Sequence, residues 1–306
     1  MAQQPASLPP LDVTRAPEGG EIGPVQSGWR LALREFASNR LAVVGVAILL
    51  FFVVFCFLGP FLYHANLANT DLINAHDPPG AGHPLGTDVN GFDILGQLMK
   101  GGQAALEIGF FAAFVAITIG ALVGAVAGLA GGLVDSTLMR VVDVFLSVPF
   151  LFVVLILAVR YGATVLSLSL VIGAFSWQVP ARLVRGEVLS IRERDFVHAA
   201  RVAGSGNWRL IGRHLLPNAL GVVIVNVTFQ VADAILAVAY VGFLGFGLHY
   251  PNLDWGDMIS DGVNYMQDGY WWLIYPVGVC IVLTVMALNF IGDALRDSFD
   301  VRLRRR

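Results

Sequence analysis

HAARVAGSGNWRLIGRHLLPN, residues 198–218, is the stretch on which the reading of this chain turns. It is polar, lies between long apolar runs, and carries Arg201, Arg209 and Arg213 with no acidic residue. Gly204 and Gly206 interrupt an otherwise helical pattern and Pro217 closes it, which predicts two short helices meeting at a bend. In the second helix Trp208, Ile211 and Leu215 recur at helical spacing, so an apolar face is expected beside an arginine face. A helix pair of this kind between membrane spans either lies on lipid headgroups or docks into a groove of a soluble partner.

The surroundings of that stretch are those of a membrane protein. Of 306 residues, 56% are hydrophobic and 13% charged, about half the charged fraction of a soluble domain. Six apolar runs, at 41–63, 104–127, 138–159, 163–183, 219–247 and 271–291, each come near the roughly 20 residues a helix needs to cross a bilayer. They lack the alternation of barrel strands, so the expected fold is all-α and integral to the membrane, with six transmembrane helices. Residues 1–28, rich in Pro, Gly and small polar side chains, predict a disordered cytosolic tail. The first apolar run starts too late and runs too long for a cleavable signal peptide. Cys56 and Cys280 lie inside apolar runs with no ligand spacing and read as small apolar residues.

Basic residues in the connections set the orientation. Arg30, Arg34 and Arg40 precede the first run, and Arg182, Arg185, Arg192 and Arg194 join the three arginines of the 198–218 stretch. Arg302, Arg304, Arg305 and Arg306 close the chain. The 64–103 connection holds Asp71, Asp77, Asp88 and Asp93 against Lys100, and the 248–270 connection holds Asp254, Asp257, Asp261 and Asp268 with no basic residue. Both termini and the 198–218 stretch are therefore expected in the cytosol, with Arg160 alone pointing the other way.

The motif residues carry a family resemblance. Ala199, Ala200, Gly204, Leu216 and Pro217 match the spacing of the EAA loop of permease subunits of bacterial ABC importers, with His198 where the family has Glu. His83-Pro84-Leu85-Gly86-Thr87-Asp88 is similar to the HPLGTD of the C-type dipeptide/oligopeptide/nickel branch. Leu138-Met139-Arg140 with Asp143, Ser147 and Pro149, the run from Ala181 to Phe196, and Asn289, Gly292-Asp293, Leu295-Arg296-Asp297 and Asp300 resemble further segments of the same branch. Gly91-Phe92-Asp93 and Lys100-Gly101-Gly102-Gln103 each lack an arginine that the branch usually has.

The resemblance implies a type I ABC importer permease (MetI-like) in a bacterial cytoplasmic membrane. Its partners would be a second homologous permease subunit, two ATPase subunits, an extracytoplasmic solute-binding protein and membrane lipid, with no nucleic acid. Its residues for ATPase coupling would be His198, Ala199, Ala200, Arg201, Gly204, Trp208, Arg209, Arg213, Leu216 and Pro217. ATP and Mg would sit on the partner ATPases, and this chain would bind no cofactor. Independently, Lys100 follows Met99, so the sequence holds no G-K-[ST] phosphate loop. Along the chain this divides into the tail 1–28, the first span and external loop 29–103, the permease core 104–300 with coupling loop 186–218, and a basic tail 301–306.

The spans hold one polar stripe. Asn226, Gln230 and Asp233 share a helical face, and Tyr240 continues it. It is either the lining of a translocation path, with Asp233 facing a substrate ammonium group, or a structural contact with a neighbouring span. Pro180 is likewise either a kink into the loop or a proline packed by its neighbours. His64, His76 and His83 have no metal-ligand spacing, and no catalytic constellation is legible. The expected activity is ATP-driven import of di- or oligopeptides. Import of a nickel chelate or a glutathione-type solute by the same machinery is the alternative, and a self-contained secondary transporter is the rival class.

Overall fold

The computed structural model describes residues 34–304 other than 66, 68, 249 and 250. The tail expected over 1–28, with Arg30, Arg305 and Arg306, lies outside them.

The centre of the fold is the longest helix after α1 (Arg40–Phe57), namely α2 (Ile94–Ala130). At about 1.5 Å per residue it is roughly 55 Å long, more than a bilayer core needs. It begins ten residues before the expected 104, because Asp93 caps it by accepting from the Gly96 N–H at 2.9 Å. Gly101 and Gly102, expected in a loop, are buried in this helix against Trp255.

Two expected spans are broken. α3 (Gly132–Ser147) and α4 (Phe150–Tyr161) are bent by 78°, and α5 (Val165–Ala174) and α6 (Gln178–Arg192) by 47°. The first break has a local cause: Pro149 forces the preceding Val148 out of the helical region, to ψ 128°. At the second, the helix restarts just ahead of Pro180, which sits in the first turn of α6 where a missing N–H costs nothing. Pro180 also packs, its Cβ 2.6 Å from where a side chain on Gly120 would begin.

α6 leads into α7 (Asp195–Val202) and α8 (Asn207–Leu210), and a π-helical turn (Ile211–Leu215) joins these to α9 (Leu216–Phe243). Past α9 lie α10 (Trp255–Val263) and α11 (Tyr275–Arg304). Among the described residues four stretches, Arg40–Phe57, Ile94–Ala130, Asn207–Phe243 and Trp271–Phe299, are long and apolar enough to cross a membrane, and counting each bent pair as one span makes six. Among the described residues the only strand-like feature is one bridge, Thr87 with Asp93.

Close packing at α2 holds this together. Gly120, Gly124 and Gly128 form a small-residue stripe on which α6 lies so closely that a side chain at Gly128 would meet Val188 at 2.8 Å. On another face Gly109 admits Ile235 and Val231 of α9. The bundle therefore has two distinct ends, the residue 63–93 segment with α10 at one and the α7–α8 loop at the other.

Candidate functional site

At the loop end, the α7–α8 pair is seated by apolar side chains. Val197, Leu210, Ile211 and Leu215 are buried with Ala125 and Leu129 of α2 and Val184, Val188 and Ile191 of α6. The expected apolar face needs a correction: Trp208 is 74% exposed, and Leu210 takes the buried place beside Ile211 and Leu215. α8 is one turn long, so Trp208 stands at its free edge. The π turn that follows has its own cause in Pro217, which cannot donate to the carbonyl four residues back and crowds it.

The bend is closed by backbone hydrogen bonds. Ser205 N–H donates to the Ala200 carbonyl and Gly204 N–H to that of Arg201, both at 3.0 Å. This is a Schellman end, which requires a left-handed residue, and Gly204 has φ +83°. The spacing from Ala200 to Gly204 is thus the spacing of that end. A side chain built at Gly204 would meet nothing within 4 Å, so conformation and not crowding demands the glycine.

What this pair presents outward is unpartnered. Val202 is 90% exposed, and His198, Ala199, Arg201, Arg209 and Arg213 are exposed beside it and Trp208. Among the described residues Arg201, Arg209 and Arg213 form no ion pair. The arginines of α6 behave differently. Arg185 holds Asp135 of α3 through two bonds of 2.5 and 2.6 Å, and Arg182 pairs with Asp143. Arg192 donates to the Gly128 carbonyl at 2.8 Å, closing the end of α2.

A cavity of about 830 Å³ opens between the two helix breaks, α9 and α11. Phe145 and Val148 line it from the first break, and Phe175 and Gln178 from the second. Asn226, Gln230 and Asp233 of α9 all reach its wall. Gln230 is buried, and Asn226 donates to the Val222 carbonyl at 3.3 Å. Tyr240 does not join them: it lies two turns beyond Asp233, outside the cavity and 55% exposed. Glu187, Arg194 and Arg296 also line this cavity. No sequence signal placed them there, since only the fold brings α6 and the end of α11 to the same space as α9.

At the opposite end the polar residues are consumed by the chain itself. Asp93 is buried, caps α2, accepts from the Tyr63 hydroxyl at 2.8 Å and lies 2.9 Å from His83 Nδ1. Buried Thr87 donates to the Asn74 carbonyl and accepts from the Asp77 N–H, and its own carbonyl accepts from Trp272 Nε1. Gly86, at φ +78°, turns the chain between them. Asp88 accepts from the Asn90 and Phe92 N–H groups and from Gln97 Nε2. Asp254, fully buried, accepts from the N–H groups of Leu248 and Asp257 at 2.8 and 2.9 Å. His76 stacks on Tyr270 with ring centres 4.5 Å apart. Burial and then the charge of Asp88 push the Asp261 carboxyl above its usual range. Among the described residues no three His, Cys, Asp or Glu side chains gather into a metal-sized group.

Comparison with known proteins bears on the whole chain. The family model of the "binding-protein-dependent transport system inner membrane component" matches residues 103–305, and that of the "N-terminal TM domain of oligopeptide transport permease C" matches 27–79. The oligopeptide transport system permease protein OppC of Escherichia coli K12 is 39% identical over 281 residues, covering 91% of this chain and 93% of that one. The dipeptide transport system permease protein DppC of Bacillus subtilis is 37% identical over 280 residues, covering 92% and 86%. Among solved structures, a chain of the MetNI methionine ABC transporter matches with a TM-score of 0.54 at 22% identity, covering 66% of this chain and 96% of that one. That likeness is one of fold.

Proposed function

This chain belongs to the family of binding-protein-dependent transport system inner membrane components, in its oligopeptide and dipeptide permease branch, and from that premise we propose how it works. It is a multi-pass permease subunit of the bacterial inner membrane that imports peptides. It pairs with a second, related permease and takes substrate from an extracytoplasmic solute-binding protein. Two cytosolic ATPase subunits carry ATP and Mg and drive it, and the chain itself performs no hydrolysis. The relatives named for oligopeptides and dipeptides favour peptides over nickel chelates or glutathione-type solutes.

One observation carries the coupling role. Val202 and Trp208 stand exposed with unpaired Arg201, Arg209 and Arg213 on a helix pair that buried side chains fasten to α2 and α6. An exposed aromatic anchor ringed by cations suits a groove with acidic walls better than it suits solvent. His198, Ala199 and Ala200 extend that face, while Gly204, Leu216 and Pro217 set its bend and its junction with α9. Because α6 is tied to α2 by the glycine stripe and to α3 by ion pairs, a push on the loop turns these helices together. Rigid-body motion of that kind can open and close the cavity between the two helix breaks. Asn226, Gln230 and Asp233 then face the path, and Tyr240 faces a partner or lipid.

The arginine asymmetry supports a cytosolic loop and cytosolic termini. Cysteines at Arg201 and Asp261, with Cys56 and Cys280 replaced, should label from opposite sides with an impermeant thiol reagent. The coupling role is tested by reconstituting the chain in liposomes with and without its permease, ATPase and binding-protein partners. Peptide uptake is expected from the full set with ATP and Mg. Uptake by the lone chain, driven by an ion gradient, would overturn the reading in favour of a secondary transporter.

A further inference from the structure

Asp233 and Arg296 line one cavity with their charges unmatched. Among the described residues neither has an ion-pair partner and both side chains are exposed; at the membrane depth of Asp233 an unpaired carboxylate marks a functional group. Their separation follows from the packing of α9 against the antiparallel α11. Gly292 meets Thr228 and Phe229, and Gly221 meets Phe299, which sets Arg296 level with residue 224 of α9. Asp233 is nine residues further along, or about 13 Å at 1.5 Å per residue. The wall between them carries Val225 and Phe229 on α9 and Phe145, Phe150 and Phe175 across the space, with the amides of Asn226 and Gln230 set among these apolar side chains.

A carboxylate, a largely aromatic wall holding two amides, and a guanidinium in that order complement an extended zwitterionic peptide with apolar side chains. An extended chain covers about 3.3 Å per residue, so 13 Å corresponds to roughly four residues. We propose that this cavity recognises both ends of a free peptide about four residues long, its ammonium group at Asp233 and its carboxylate at Arg296. This rests on the reading of the cavity as the path. Arginine suits the second role, since its fork can grip a carboxylate through two bonds. The polarity is fixed as well: Arg296 lies nearer the α7–α8 end, so the peptide leaves towards that end with its carboxylate leading. Glu187 and Arg194, seven residues apart and of opposite sign, lie nearer that end still and add no net charge to the exit.

The test uses the assembled importer in liposomes with its binding protein and ATP, and a labelled Ala/Phe tetrapeptide in free, N-acetylated and C-amidated forms. Ratios of uptake are compared between variant and wild-type permease, so the preference of the unchanged binding protein cancels. Asp233→Asn is expected to lower the free-to-acetylated ratio about tenfold, the size of one lost charged contact, and to leave the free-to-amidated ratio alone. Arg296→Gln is expected to do the reverse, and Arg296→Lys to keep most of the amide discrimination. Both residues are exposed, and the Arg296 arm stands even where Asp233→Asn does not assemble. If the binding protein admits no blocked peptide, the same ratios are read without it, as protection of Val179→Cys from a thiol reagent by each peptide in the detergent-solubilised complex. Unchanged ratios in both variants, or equal loss of both ratios in each, overturn terminal recognition. Val179→Trp separates the underlying reading, because Val179 lines the same space. Normal uptake by Val179→Trp overturns the cavity as path, whereas blocked uptake with unchanged ratios overturns only the recognition of the termini.

Discussion

The two ends of the bundle use charge in opposite ways. In the 63–93 segment and α10, Asp88, Asp93 and Asp254 each hold two or more groups of the chain, and two of the three are buried. In the α7–α8 loop and the turn after it, Arg201, Arg209 and Arg213 form no ion pair among the described residues and stand beside exposed Val202 and Trp208. The acids of the first region therefore build a platform and are spent in doing so. The arginines of the second remain available. A run of like charges says which compartment a loop faces, and only the hydrogen bonds say whether those charges are already engaged.

The largest effect that could break this contrast is at Asp254. Asp254→Ala strands the buried Leu248 N–H and the part-buried Asp257 N–H, which costs about 3 kcal/mol. The melting temperature of the purified complex should fall sharply, and a loss below about 1 kcal/mol would mean the platform is not held this way. Trp208→Ala should do the opposite. Stability should stay within about 0.5 kcal/mol, as for an exposed site, while affinity for the ATPase subunits falls about thirtyfold, the loss of an interface anchor. A drop in melting temperature with unchanged ATPase binding would make Trp208 a packing residue.

Gly204→Leu comes next. A branched residue at φ +83° costs roughly 1–2 kcal/mol, so the subunit should insert normally and its hold on the ATPase should weaken about tenfold. Normal association and normal transport by this variant would remove the bend from the coupling role. The smallest effect is at Asp261, whose carboxyl is pushed up by partial burial and then by the charge of Asp88. A carboxyl raised in the folded state favours folding while protonated, and that contribution is lost as pH rises through the raised value. Asp261→Asn should flatten the stability profile just above the ordinary carboxylate range and slightly stabilise the complex at neutral pH. A steeper profile in the variant would mean Asp261 has an attractive partner.

Much of this was legible because membrane burial writes long apolar runs into sequence. The run at 219–247 corresponds to α9 within a few residues, and those at 41–63 and 271–291 locate α1 and α11 but miss their ends, since α1 stops at Phe57 and α11 continues to Arg304. The runs at 138–159 and 163–183 gave no sign of their breaks by hydropathy, since both sides of each bend are apolar. Pro149 and Pro180 were the available signals, and each acts on the residues before it. The start of α2 was hidden by Lys100-Gly101-Gly102-Gln103, which reads as a loop until Trp255 is brought against it. Gly204 could be found because a Schellman end is local. The cavity could not, since Asp233 and Arg296 are 63 positions apart in sequence.

The glycine stripe of α2 has one more consequence. Gly120, Gly124 and Gly128 repeat every four residues, so the groove is self-similar: moved by one repeat, about 6 Å, α6 would again find glycine beneath most of its ridge. Apolar packing alone does not say which position is right. Arg192 does, because its guanidinium reaches the Gly128 carbonyl, and Arg185 does, because it must meet Asp135. The stripe supplies the adhesion between the two helices, and two arginines supply the index mark that fixes their alignment.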